Sequence, residues 1–188
     1  MLSSLHFMKH RNRITFLSSQ TFSCMMNIRI LCLIIIFIAA SKSTYSTGWT
    51  AEVQNIYEVM QSEDTAKINA ALAEIEISSV REKNAYKGTL LMKKSGLIKS
   101  GMEKLSVFKQ GRKLLEASIN QDSTNAEYRF LRLIIQEHAP DFLNYHSKKE
   151  VDAKMITESY ARLPMQLREA IKKYSKNSHV LKPEDFQK

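Results

Sequence analysis

The chain reads as all-α, with about seven helices packed as antiparallel hairpins or as an irregular bundle, after an N-terminal signal segment. Three observations carry that reading. No proline falls between Ala51 and Ala139, and glycine there is limited to Gly88, Gly96, Gly101 and Gly111. Apolar residues recur at the three- and four-residue spacing of a helix face, and β-branched runs are confined to the N-terminal lead. Three Ser/Thr-x-x-Glu pairs, Ser79 with Glu82, Thr124 with Glu127 and Ser147 with Glu150, fit the capping box, in which each side chain satisfies the other residue's free backbone N–H.

In chain order, a first short helix is expected over residues 50–61. A second, over 63–77, places Ile68, Leu72 and Ile75 on one face. A third, over 80–94, carries Ala85, Tyr86 and Leu90, and the Gly- and Ser-bearing segment SGLIKSG from Ser95 to Gly101 breaks it. A fourth, over 103–120, turns Leu105, Phe108, Leu115 and Ile119 inward. A fifth, over 125–138, ends ahead of Pro140, because the residue before proline is pushed out of the helical region. A sixth covers 148–162. Pro164 suits the first turn of a seventh that runs to about residue 176, since that turn has no use for the missing N–H. The closing LKPEDFQK is expected to fray. The resulting division is a signal segment over 1–46, one helical domain over 47–180 and a flexible tail over 181–188.

The N-terminal segment differs chemically from the rest. Residues 1–51 hold no acid, and a basic, polar lead with Lys9, Arg11, Arg13 and Arg29 runs into ILCLIIIFIAA, Ile30 to Ala40, and then the small, polar SKSTYST. Positive region, short apolar region and small-residue exit follow one another as in a secretory signal. Eleven apolar residues rise about 16 Å as a helix, roughly half a bilayer core. Export to the periplasm or the medium is therefore expected, with a membrane anchor through residues 30–40 as the alternative if the segment stays uncleaved. Cleavage after Ala40 or a few residues later fits the pattern, and residues 1–24 read as an overextended start. Removing residues 1–40 takes away four of 28 basic residues and none of the 19 acids, which lowers the net charge from +9 to +5. That charge, spread over helices without a clustered basic face, gives no case for nucleic acid as partner. Both cysteines, Cys24 and Cys32, also lie in the removed part, so the mature domain has to hold by packing alone.

The fourth and fifth helices are joined by only NQDST, which predicts an antiparallel hairpin. The stretch EASINQDSTNAEYRF resembles the turn between successive tetratricopeptide-type repeats: Ser118 stands at the small position, Asp122 and Asn125 match the turn, and Ser123 replaces the usual proline. The resemblance spans about one repeat. The longer GRKLLEASINQDSTNAEYRFLRLIIQEHAPDFLNY is similar to a group of small secreted bacterial proteins, a resemblance that implies export and a helical-repeat-like fold and supplies no activity.

For function, the fifth helix is apolar around most of its circumference yet carries Arg129, Arg132 and Gln136 on one stripe. Two guanidiniums in a groove would grip a carboxylate or phosphate of a partner protein or peptide. The bland reading pairs them with acids such as Glu116, Glu127 or Asp141, their stems covering apolar surface. His138, His146 and His179 are the histidines left after signal removal, and His146 with Glu150 has i, i+4 spacing. No HExxH, paired-cysteine, GxSxG, Walker or GxGxxG pattern accompanies them, so no metal, cofactor or catalytic residue is expected. Tyr86, Tyr128, Tyr145, Tyr160 and Tyr174 read as core, each hydroxyl reaching the surface. The basic runs MKKSGLIKSGMEK and IKKYSKNSH read as solvated faces. The expected function is that of a non-enzymatic exported module for binding another protein or peptide in the cell envelope. A membrane-anchored envelope structural factor is the alternative, and an enzyme without a recognisable motif comes third.

Overall fold

Seven α-helices follow one another in the computed structural model, which describes residues 51–187, with side chains from Asn55 onward: α1 (Ala51–Met60), α2 (Thr65–Ile77), α3 (Lys83–Leu97), α4 (Gly101–Gln121), α5 (Ala126–His138), α6 (Lys149–Ser159) and α7 (Met165–Ser175). Short 3-10 turns over Asp141–Leu143, Tyr160–Arg162 and Pro183–Phe186 complete the chain. There is no strand among the described residues. The segment read as a signal and anchor lies outside them. Within them no helix is long and apolar enough to cross a membrane.

The tightest packing joins α3 to α4. A Cβ built on Gly88 would stand 2.6 Å from the Gly111 carbonyl oxygen, and one on Gly111 would stand 2.5 Å from that of Gly88. The two backbones therefore meet with no side chain between them. Gly88 also faces Leu115 while Gly111 faces Met92, so residue numbers rise along one helix as they fall along the other and the hairpin is antiparallel. Leu90 and Leu115 are fully buried along this seam. On the other side α5 lies against α3, α4 and α6, which explains why Tyr128, Phe130, Leu131, Leu133, Ile134 and Ile135 are all buried.

Several local expectations change. None of the three capping boxes forms as written. Asn125, not Thr124, caps α5, its Oδ1 accepting the N–H groups of Glu127 and Tyr128 at 3.0 and 3.2 Å. Glu127 is thereby free to turn inward. The third helix begins at Lys83, past the Ser79 box, and Lys148 occupies the N-cap of α6 without a side-chain bond. A cap that sequence spacing did not mark is Asp64, which holds the N–H groups of Ala66 and Lys67. Leu105, expected inward, is 38% exposed, because the first turn and a half of α4 runs beyond the core that Phe108 enters. Helical geometry over 148–162 tightens to a 3-10 turn at Tyr160, since Pro164 forces Leu163 into an extended conformation. Pro164 itself takes the N-cap position, one residue ahead of α7.

The tail is also a correction. Leu181 and Phe186 are buried, and the Phe186 ring lies 4.7 Å from that of Tyr160. Glu137 fixes the approach by accepting the Ser178 hydroxyl and the His179 N–H, while Ser178 Oγ accepts the N–H of Leu181 at 2.9 Å. Burying one phenyl ring stabilises by about 1.5–3 kcal/mol, enough to hold a short segment whose ends are already tied.

Candidate functional site

Arg132, the centre of the arginine stripe, is 4% exposed, and Asp152 on α6 is fully buried. The guanidinium meets the carboxylate bidentately, Nε to Oδ2 and Nη2 to Oδ1, both at 2.7 Å. Its Nη1 donates to Glu116 on α4 at 2.9 Å. Arg129 adds a bond from Nη1 to Asp152 Oδ1 at 3.3 Å and donates through Nε and Nη2 to the Ser123 carbonyl. Burial works against the Arg132 charge, but the hydrogen bonds and charge of Asp152, with Glu116, outweigh it and raise its pKa. Gln136 is buried, its backbone carbonyl is bonded to the ring of His146, and its Oε1 has no hydrogen-bond partner among the described residues. The stripe thus ties α4, α5 and α6 together, and none of its three residues lines the cleft of about 720 Å³ between α1, α3, α4, α5 and α7. Of the acids the sequence offered, Glu116 is the one that pairs. The principal partner, Asp152, is 20 residues away from Arg132 and has no spacing signal to mark it.

Of the five tyrosine hydroxyls expected to reach the surface, glutamates take those of Tyr86, Tyr145 and Tyr174, while Tyr160 donates to the Arg168 carbonyl at 3.3 Å; Tyr57 joins the glutamate-bound set. Tyr57 and Tyr86 donate to Glu127 Oε1 at 2.8 and 2.6 Å, Tyr145 to Glu116 at 2.6 Å, and Tyr174 to Glu137 at 2.7 Å. Burial is the main reason Glu127 is pushed up to about 7; the Tyr86 and Tyr57 hydroxyls pull it down, and Glu82 adds to the rise. These pairs join distant helices and leave the carboxylates occupied.

The histidines separate. His146 Nδ1 bonds to the Gln136 carbonyl, and its Nε2 stands 3.3 Å from the fully exposed Asp141 without hydrogen-bond alignment. His138 Nδ1 lies 2.9 Å from the Ile134 carbonyl. A carbonyl can only accept, so this nitrogen carries the proton and Nε2 is left as the second ring position. Among the described residues no group of three His, Cys, Asp or Glu is placed to hold a metal ion.

Among the described residues a cleft of about 720 Å³ opens that none of the expected site residues lines. Its deep wall comprises Met60, Met92, Phe108, Phe130, Ile134 and Ile135, contributed by α1, α3, α4 and α5. Aromatic order continues along that wall, with Phe130 stacked on Tyr57 at 5.9 Å and edge-on to Tyr174 at 5.6 Å. Phe142 stands at the mouth, 74% exposed. The rim is cationic: Lys93 on α3, Lys104 on α4 and Lys173 on α7, with His138 nearby. Glu63 is the one acid in the described lining, and it is paired with Lys93 at 3.0 Å. All three rim lysines come from the two basic runs that read as solvated faces. The overlooked signal was that each run alternates its lysines with apolar residues of the same wall, Met92 in one and Tyr174 in the other. Deep apolar volume with a few polar groups at its edge is the usual form of a small-ligand site.

Comparison with protein-family models, with curated proteins and with solved structures finds nothing that matches the chain.

Proposed function

We propose that the protein is an exported, non-enzymatic binding module whose ligand seat is the cleft between α1, α3, α4, α5 and α7. The observation that supports this most is the cleft itself: a concavity of about 720 Å³, more apolar than polar in its lining, whose mouth carries an aromatic ring left 74% exposed. Exposed apolar surface of this kind is costly to a solitary domain and marks a place where something docks. Export rests on the basic, apolar and small-residue order of residues 1–46. The hairpins, tetratricopeptide-like in the turn between α4 and α5, serve here as a frame that holds the walls apart. Arg129 and Arg132 belong to that frame.

Gly96 provides the test. It lines the cleft, and a Cβ built there meets no atom within 4 Å, so Gly96→Trp places a bulky ring at the cleft without displacing the backbone. The exported protein should enhance the fluorescence of the neutral probe N-phenyl-1-naphthylamine saturably. Gly96→Trp should abolish that at an unchanged melting temperature. Absence of saturable binding by the native protein, or full binding by a folded Gly96→Trp, would refute the cleft as the ligand seat.

A further inference from the structure

We infer that the cleft takes a long-chain carboxylate, the alkyl chain against the Met92 and Ile135 wall and the carboxylate at the rim between Lys104 and Lys173. This rests on the cleft being a ligand seat, and three observations carry it further to a ligand class.

The first is charge complementarity. The rim acid Glu63 is neutralised by Lys93. That leaves Lys104 and Lys173, whose ammonium groups have no ion pair or hydrogen bond among the described residues. A cationic head would meet two unpaired ammonium groups, whereas an anion would meet two donors. The second is the chemistry of the wall. Met60, Met92, Phe130, Ile134 and Ile135 are apolar, and the buried polar side chains beside them, Ser95 and Tyr57, already donate their hydroxyls to the Met92 carbonyl and to Glu127. A peptide inserted in extended form would bring backbone N–H and C=O groups that need partners there, and an alkyl chain brings none. Met60 and Met92 are unbranched and polarisable, and they adapt to a flexible chain. The third is size. A helix about 10–12 Å across would fill 720 Å³ in roughly one to two turns, too short a contact to fix a helical partner.

Displacement of the neutral probe reads the proposal out. Dodecanoate and dodecyltrimethylammonium, matched in chain length and kept below their micellar concentrations, should differ, with the carboxylate displacing the probe at about tenfold lower concentration. Lys104→Gln/Lys173→Gln should bind the probe as the native protein does and lose that preference, as should the native protein at 1 M salt, where the Debye length is about 3 Å. Equal displacement by the two amphiphiles, or a preference that survives the double substitution, overturns the carboxylate assignment while leaving the cleft as a seat for apolar ligands. An amphipathic Leu/Glu peptide of about five turns that displaces the probe at lower concentration than dodecanoate would overturn it in favour of a peptide ligand. Failure of the probe itself to bind would remove the ligand seat altogether, and the carboxylate with it.

Discussion

Asp152→Ala is expected to be among the most destabilising single changes in the helical domain. The substitution removes an acceptor that takes three guanidinium N–H groups at 2.7, 2.7 and 3.3 Å, and it leaves Arg132, 4% exposed, holding its charge in the interior. Stripping one partner from a buried ion pair costs about 3–5 kcal/mol, because the surviving charge keeps its desolvation penalty without its compensation. Glu116 still accepts from Arg132 Nη1 at 2.9 Å and is partly exposed, so the lower end, about 3 kcal/mol, applies. For a domain of this size that corresponds to a fall of about 10 °C in melting temperature. Urea unfolding followed by far-UV circular dichroism measures it. The double replacement Arg132→Met/Asp152→Leu, which removes both charges, should recover most of the loss. A loss below about 1 kcal/mol for Asp152→Ala would refute the reasoning, since it would mean that the pair is solvated and that α6 is held by other contacts.

Gly88→Ala should destabilise by about 1–3 kcal/mol or more, because its Cβ meets backbone atoms of Gly111 and Leu115 that cannot swing aside, while Gly96→Ala, with open space around it, should be neutral or gain up to about 1 kcal/mol of helix propensity; chemical denaturation of the two variants makes the comparison. Glu127 has its folded value raised from 4.5 to about 7, so the folded state holds the proton more tightly than the unfolded chain. Its contribution is therefore complete below about pH 4.5 and is lost as pH rises through about 7. Glu127→Gln should abolish that slope, moving the stability difference between the two proteins toward the variant by about 1–3 kcal/mol from pH 4.5 to pH 8, as unfolding at each pH would show. Phe186→Ala, the test of a packed tail, should cost about 3 kcal/mol and raise proteolysis after Ser178, whereas a frayed tail would leave both unchanged.

The helices were legible because helix signals are local. Apolar spacing placed all seven, and the proline rule closed α5 and bent the end of α6. What periodicity carries is a face, and Ile68, Ala85, Tyr86, Leu90 and Ile119 lie on the faces it marked. Leu105 was missed because the face of a helix is defined along its whole length, while the core it meets is not. The capping boxes failed for a related reason: Glu127 has the right spacing to cap, but two tyrosine hydroxyls 41 and 70 residues away hold it instead. The arginine stripe was visible, and its partner was not, since Asp152 reaches Arg132 through the packing of α6 on α5. The cleft was the least legible feature. Its walls come from five helices, and each wall residue taken alone reads as ordinary core. Gly88 and Gly111 were read only as sparse glycine, although a close helix crossing depends on both.

The most direct measurement on the cleft is a methyl spectrum of the protein labelled at its methionines, titrated with dodecanoate. Met60 and Met92 lie in the cleft wall, whereas Met102, Met155 and Met165 are not among its lining residues. The expected result is a saturable shift of the Met60 and Met92 methyl resonances with those of Met102, Met155 and Met165 unmoved. Shifts at Met102, Met155 or Met165 without any at Met60 and Met92, or no saturable shift at all, would contradict the cleft as the place where this protein binds.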